Sequence, residues 1–263
     1  MARIELPVRP KKRLGQNFLH DASVLAREAE YAGVSGCSVL EIGAGDGRLT
    51  EKLLEAGAKE ITAVEKDGGL AGILAEKFAN DGRVKIENSD FLKMPVAGFD
   101  VVIGNIPYYI SSPIIFRLAD FRFKRAVLCV QKEFAQRMLA KPGTHNYGRM
   151  SVMAQLHFNV ELLETVPASS FSPKPKVDSA LIRLEKTGRA CTKSEAEFIN
   201  SVFQHRKKTL GNALFDSRSH FGWEKEKTRK LVEKVKYREK RVFMMALDEL
   251  LESAGEVEKM MPK

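Results

Sequence analysis

Apolar residues recur at two spacings along this chain, and the changes between them mark out its elements. Short, nearly continuous apolar runs at residues 38–42 (Ser-Val-Leu-Glu-Ile), 60–64, 83–87, 100–104 and 125–130 have the length and β-branched content of strands. Between them lie stretches with apolar positions three and four apart, as at 48–54 and 131–140, which predict helices. Strand and helix patterns alternating from about Val39 to Val166, with a last strand at 177–184, predict an α/β fold with a doubly wound, Rossmann-like sheet. Residues 185–190 read as a linker. Beyond it Thr192-Lys-Ser-Glu195 forms a capping box, opening a helix with Phe198, Ile199, Val202 and Phe203 on one face. Further helices are expected at 207–215, 224–235 and 238–253, with a frayed end over 256–263. The expected organisation is a sheet domain over residues 1–186 and a small all-helical C-terminal domain over 190–263.

Ligands of open α/β sheets bind beyond the carboxyl ends of the strands, so the residues after each run carry the chemistry. The first run enters Gly43-Ala-Gly45-Asp-Gly47 and then a helix. A dinucleotide fingerprint would place its third glycine three positions after the second, with a pyrophosphate at the helix terminus. Here it comes two after, beside acidic Glu41 and Asp46, poor neighbours for a pyrophosphate. A cofactor with a sulfonium and an α-ammonium tolerates them, so S-adenosylmethionine fits better than NAD, with Gly43 and Gly45 letting backbone approach its amino-acid end. The second run ends at Glu65, about twenty residues past the glycine turn, where an acid accepting ribose hydroxyls is expected; Lys66 adjoins it. The third leads to Asp90 and Phe91, suited to taking the cofactor's adenine amine and packing on its ring.

The fourth run ends in Asn105-Ile106-Pro107-Tyr108. An aromatic amine such as that of adenine is a poor nucleophile because its lone pair is delocalised into the ring. Acceptors for its N–H groups pull the nitrogen toward tetrahedral geometry and stabilise the charge that develops on methylation. The Asn105 side-chain oxygen and the carbonyl of Ile106 or Pro107 suit that task, and Tyr108 offers a stacking face for an extruded base.

Taken in order, Gly15-Gln-Asn-Phe-Leu19, Glu41-Ile-Gly-Ala-Gly45, Asn105-Ile-Pro-Tyr108 and Phe171-Ser-Pro-Lys-Pro-Lys-Val-Asp-Ser179 resemble the small-subunit ribosomal RNA adenine dimethyltransferases, whose architecture the macrolide-resistance rRNA methyltransferases share. The resemblance covers nearly the whole chain. It implies that Asn17 and Leu19 contact the cofactor with Gly43, Glu65 and Asp90, that Asn105 bridges cofactor and target amine, and that Phe171 closes over the flipped adenine opposite Tyr108. It also implies the substrate: two methyl groups on each of two adjacent adenines near the 3′ end of small-subunit rRNA, within a pre-ribosomal particle, by an enzyme expected to be a monomer. Ile106 stands where the family often has Leu, a volume-preserving exchange. His20 stands where a small polar residue is frequent and reads as a partly exposed surface histidine.

Composition agrees with this reading. The chain has 263 residues, 44% of them hydrophobic, and a net charge of +9, the footprint of a polyanion binder. Its cations cluster as Arg9, Lys11, Lys12 and Arg13, as Lys174 and Lys176, and as Arg206, Lys207 and Lys208, and all of these but Arg9 are expected to meet RNA. Cys37, Cys129 and Cys191 are far apart and the five histidines form no paired motif, so neither a metal nor a disulfide framework is expected. With no apolar signal core and no run of membrane-spanning length, the expected location is cytoplasmic. Two rivals are a non-catalytic RNA-binding factor on the same fold and a DNA adenine methyltransferase, which would need a larger target-recognition domain.

Overall fold

The computed structural model describes Lys11 and residues 15–260. Lys12 and Arg13, expected at the RNA, lie outside the described residues, as does Arg9. Contacts divide the chain into two compact units, the first ending at Ala135 and resuming over Asn159–Lys186, the second made of Gln136–Phe158 and Thr187 onward.

In the first unit, β1 (Phe18–Leu19) and α1 (Ala22–Ala32) precede β2 (Ser38–Ile42), α2 (Arg48–Glu55), β3 (Glu60–Val64), α3 (Gly68–Lys77), β4 (Val84–Glu87), β5 (Val101–Asn105), α4 (Ser111–Leu118) and β6 (Arg125–Gln131). From α5 (Lys132–Leu139) the chain enters the second unit, forms α6 (Arg149–His157) and returns through β7 (Phe158–Val166), β8 (Phe171–Ser172) and β9 (Ser179–Lys186). The main sheet has seven strands in the order β4-β3-β2-β5-β6-β9-β7. Strands β4, β3, β2, β5 and β6 run parallel, and β9 is antiparallel to β6. The order reverses between β2 and β5, which makes their carboxyl ends the crevice where a ligand belongs. These two strands approach so closely that a Cβ on Gly104 would lie 2.3 Å from the Ile42 carbonyl oxygen, so only glycine fits there.

Local chemistry explains the helices that frame this crevice. Asp21 caps α1 by accepting from the backbone N–H groups of Ser23 and Val24, and Gly33, at φ 58°, ends it. The buried face of α1 carries Val24, Leu25, Ala29 and Ala32 and also a carboxyl, Glu28; this helix packs on β5, β6 and β9. Asp67 caps α3 in the same way through Gly69 and Leu70. Strands β1 and β8 form a separate two-stranded ribbon that sets Leu19 opposite Phe171.

The second unit is helical: α6 joins α7 (Lys193–Gln204), α8 (Leu210–Asp216), α9 (Lys225–Val232) and α10 (Leu247–Met260). The capping box at Thr192 and Glu195 is present, and Phe198, Ile199, Val202 and Phe203 are buried. Their core also takes in Tyr147 and Val152, and the Tyr147 hydroxyl donates to the Met245 carbonyl at 2.8 Å. The division expected at residues 186 and 190 therefore differs from the structure by an insertion, because 136–158 packs with the C-terminal helices. In the sequence α5 and α6 look like ordinary crossover helices. Two boundaries also move. Residues 238–246, expected to be helical, hold a single turn at Val242–Met244 before α10. That helix continues to Met260, into the segment expected to fray, because Ala254 and Val257 remain buried against the core.

Candidate active site at the carboxyl ends of the parallel strands

The ends of β2, β3, β4 and β5 open into one cleft of about 1160 Å³, measured with its open mouth. Every residue expected to bind the cofactor or take part in catalysis lines it: Asn17, Leu19, Gly43, Gly45, Glu65, Lys66, Asp90, Phe91, Asn105, Pro107, Tyr108 and Phe171. All belong to the first unit.

On the β2 side, Gly43 has φ 75°, and a Cβ there would meet nothing nearer than the Asn105 carbonyl oxygen at 3.8 Å, so the glycine leaves open space in front of the turn. Glu65 organises this side. Its Oε2 accepts the Gly45 N–H at 2.9 Å and its Oε1 the Asp67 N–H at 2.8 Å, linking the glycine turn to the start of α3. Burial raises the Glu65 pKa above the usual carboxylate range, opposed by these backbone hydrogen bonds. Each oxygen keeps a second lone pair that can accept from a ligand hydroxyl.

Glu41 is fully buried, accepts from the Thr50 hydroxyl at 2.7 Å through Oε2, and has no hydrogen-bond partner for Oε1 among the described residues. Burial pushes its pKa up to about 8. Asp46, by contrast, is ion-paired with Arg48 at 3.1 Å. The glycine side thus offers acceptors and a buried acid in want of a cation, which suits a ligand bringing hydroxyl and cationic groups.

Asp90 is held below the usual carboxylate range first by its hydrogen bond to Lys66, at 2.8 Å, and it also accepts the Leu92 N–H. Lys66 is exposed at the rim. Phe91 is buried and packs on Phe121 with ring centroids 5.1 Å apart. Asn17 donates to the Gly15 carbonyl at 3.2 Å, and Leu19 is buried beside it.

On the β5 side, Asn105 Nδ2 donates to Glu28 Oε2 at 3.3 Å, while Asn105 Oδ1 is buried without a hydrogen-bond partner among the described residues. Of the two backbone carbonyls proposed as acceptors, that of Pro107 accepts the Ile110 N–H at 3.1 Å and receives the Ser111 hydroxyl at 3.5 Å, so it is engaged in shaping the turn. Tyr108 is half-buried with its hydroxyl 2.6 Å from that of Ser179. Phe171 is only 5% exposed and belongs to the sheet core with Leu19, Leu25 and Val166, so it packs its ribbon as well as lining the cleft. Ile106 is buried. His20 is partly exposed.

Sequence reading missed Glu28, Cys129, Ser179 and Tyr109. Cys129 and Tyr109 line the cleft, the latter 56% exposed at its mouth. Glu28 shares the phase of Val24, Leu25, Ala29 and Ala32 on α1, and that phase is the signal that would have revealed it.

The expected RNA contacts divide. Lys174, Lys176 and Lys207 are exposed. Lys11 pairs with Asp67 at 2.5 Å and Lys208 with Asp216 at 2.5 Å. Arg206 is committed to structure, donating to the backbone carbonyls of His145 at 3.2 Å and Tyr147 at 2.8 Å.

Comparison with known proteins agrees with the cleft. The model of the family described as ribosomal RNA adenine dimethylase matches residues 8–248. A probable ribosomal RNA small subunit methyltransferase A from Thermococcus sibiricus is 42% identical over 92% of this chain and 90% of its own length. One from Methanothermobacter thermautotrophicus is 39% identical over 95% and 92%. Among solved structures, a dimethyladenosine transferase from Plasmodium falciparum superposes with a TM-score of 0.79 at 29% identity, covering 92% of this chain and 98% of that one. The 23S rRNA methyltransferase ErmE gives 0.65 at 27%, covering 92% and 100%. A family match over nearly the whole chain, on a sheet whose strand ends carry the expected glycine, acidic and Asn-Ile-Pro-Tyr elements, places this chain in the ribosomal RNA adenine dimethylase family.

Proposed function

We propose that this enzyme transfers methyl groups from S-adenosylmethionine to the N6 amines of two adjacent adenines near the 3′ end of small-subunit rRNA, acting as a cytoplasmic monomer on a pre-ribosomal particle. Among the described residues no helix is long and apolar enough to cross a membrane. The observation that carries the reading is Asn105 Oδ1, a buried acceptor without a partner at the carboxyl end of β5, beside the half-buried ring of Tyr108.

The residues present fit the cofactor. The remaining lone pairs of Glu65 suit ribose hydroxyls, the open surface at Gly43 admits the amino-acid end, and buried Glu41 suits a cationic group. When bound, the cofactor supplies an electrophilic methyl group. Asn105 Oδ1 and the Ile106 carbonyl accept the N–H groups of the target amine, drawing its lone pair out of conjugation and offsetting the positive charge that grows on nitrogen. Tyr108 holds the extruded base by stacking. The proton leaves the methylated amine for solvent, so no strong base is required at the nitrogen.

Incubation with radiolabelled donor and either undermethylated small subunits, naked rRNA or duplex DNA tests the proposal. Label in dimethyladenosine of small-subunit RNA is expected. Label in DNA alone, or RNA binding with no transfer, would overturn it.

A further inference from the structure

Glu28 interrupts the apolar stripe of α1 at a position where leucine would cost less, since a buried carboxyl must be satisfied or it destabilises the fold. Its Oε2 accepts from Asn105 Nδ2 at 3.3 Å, and its Oε1 has no partner among the described residues. The other titratable groups that act on this cluster are Glu41 on β2, Cys129 on β6 and Glu164 on β7. The nearby cation Arg27 is engaged with Glu164, at 2.8 and 3.1 Å.

A primary amide has two ends of nearly equal shape and opposite hydrogen-bonding character. A carboxylate only accepts, so an ionised Glu28 holds the Asn105 NH₂ toward α1 and leaves the oxygen for the cleft. A protonated Glu28 can also donate to that oxygen, which admits the flipped amide. The flipped amide would present N–H groups to a target amine that itself needs acceptors.

We propose that Glu28 is a positioning residue for methyl transfer, selecting through its charge the orientation of Asn105 in which the side-chain oxygen faces the target amine. The inference rests on Asn105 acting as the acceptor in the proposed function. Burial, opposed by the Asn105 hydrogen bond, raises the Glu28 pKa to about 8, so the selection falls within an accessible pH range: neutral below, ionised above.

The test pairs two measurements on the full chain. The first follows the Asn105 side-chain amide resonances in ¹⁵N–¹H spectra across the pH range on either side of 8, assigned by their loss in Asn105→Ser, without donor or RNA. They should move with the Glu28 ionisation in the wild type, stay still in Glu28→Gln, and still move in Glu41→Gln, which leaves Glu28 in place. The second follows kcat against pH. The wild type should gain rate with the same ionisation or, with the cationic donor bound, a lower one, and Glu28→Gln should lack that limb. Glu28→Leu should lose about tenfold in kcat at an unchanged donor KM, the loss of one orienting hydrogen bond. An Asn105 amide that does not titrate, or one that titrates equally in Glu28→Gln, overturns the coupling even if RNA is methylated. An amide that titrates as expected in a protein that methylates no RNA overturns the functional reading and with it the catalytic role of Glu28. A kcat profile in Glu28→Gln identical to wild type overturns the role alone.

Discussion

The hydroxyl of Tyr108 lies 2.6 Å from that of Ser179, tying the turn after β5 to the first residue of the antiparallel strand β9. The bond orients the ring, whereas stacking on a base, worth about 1 to 3 kcal/mol, belongs to the ring itself. Tyr108→Phe should keep most of the methylation activity and lose about 1 kcal/mol of stability with the hydrogen bond. Tyr108→Ala should abolish most turnover. A Phe variant as inactive as the Ala variant would assign the phenol oxygen, and not the ring, the working part.

Glu65 supports the glycine turn as well as any ligand, because its two oxygens hold the N–H groups of Gly45 and Asp67. Glu65→Ala removes both acceptors, each buried N–H left unpaired costing about 1 to 3 kcal/mol. Calorimetric titration with S-adenosylmethionine should show affinity reduced at least about tenfold, and a thermal melt should show a lower midpoint. Unchanged donor affinity in a folded variant would remove Glu65 from the site.

The buried acids make stability depend on pH in an uncommon direction. Glu28 and Glu41 are both raised from 4.5 to about 8, so the folded chain holds these protons more tightly than the unfolded one. Their contribution is full below about 4.5 and is lost as pH rises toward about 8. Urea unfolding should therefore give a lower free energy at the alkaline end of that window than near its middle, and Glu28→Gln combined with Glu41→Gln should flatten the difference. A slope unaffected by both substitutions would locate the titration elsewhere.

Arg206 and Lys207 are neighbours with different work. Lys207 is exposed, whereas Arg206 donates to the carbonyls of His145 and Tyr147. Lys207→Ala should lower the slope of log RNA affinity against log salt by about one, as expected for a phosphate contact. Arg206→Ala should mainly destabilise the helical unit, seen as a lower melting midpoint. A large slope change from Arg206→Ala with no loss of stability would reverse the assignment.

Phe171 is packed into the ribbon opposite Leu19, so truncation to alanine would mix a cavity with any effect on the base. Phe171→Leu is the cleaner probe. If the ring helps to clamp the adenine, the second methylation, which must realign a bulkier amine, suffers most. Mass spectrometry of digested RNA should then show monomethyladenosine accumulating relative to the dimethyl product. An unchanged ratio at similar rate would confine Phe171 to packing.

Much of this site was legible because its residues follow apolar runs, and a parallel sheet gathers such strand ends at one crevice. Gly43, Glu65, Asp90 and Asn105 each stand at or just past the end of a strand and needed no tertiary knowledge to align. Glu28 was hidden among the charges of Arg27 and Glu30, and only its helical phase marks it as buried. Cys129 lines the cleft from β6, beside Asn105, and Ser179 meets the Tyr108 hydroxyl from β9; the pairing that brings these strands there is a long-range property that local spacing does not encode. The lysine and arginine clusters were visible as composition, but whether a cation is exposed or spent on a carbonyl, as at Arg206, depends on where its loop folds.

Residues 136–158 also bear on how this protein is made and how it can be cut. The helical unit needs both that segment and the last helices to enclose Tyr147 and Val152 with Phe198, Ile199 and Leu250. On a ribosome the segment emerges well before its partners, and its apolar face must wait until α10 is synthesised. A fragment ending at Lys186 would keep the complete cleft and yet leave that face bare, exposing it to aggregation, so an apparently minimal catalytic fragment should be harder to handle than the whole chain.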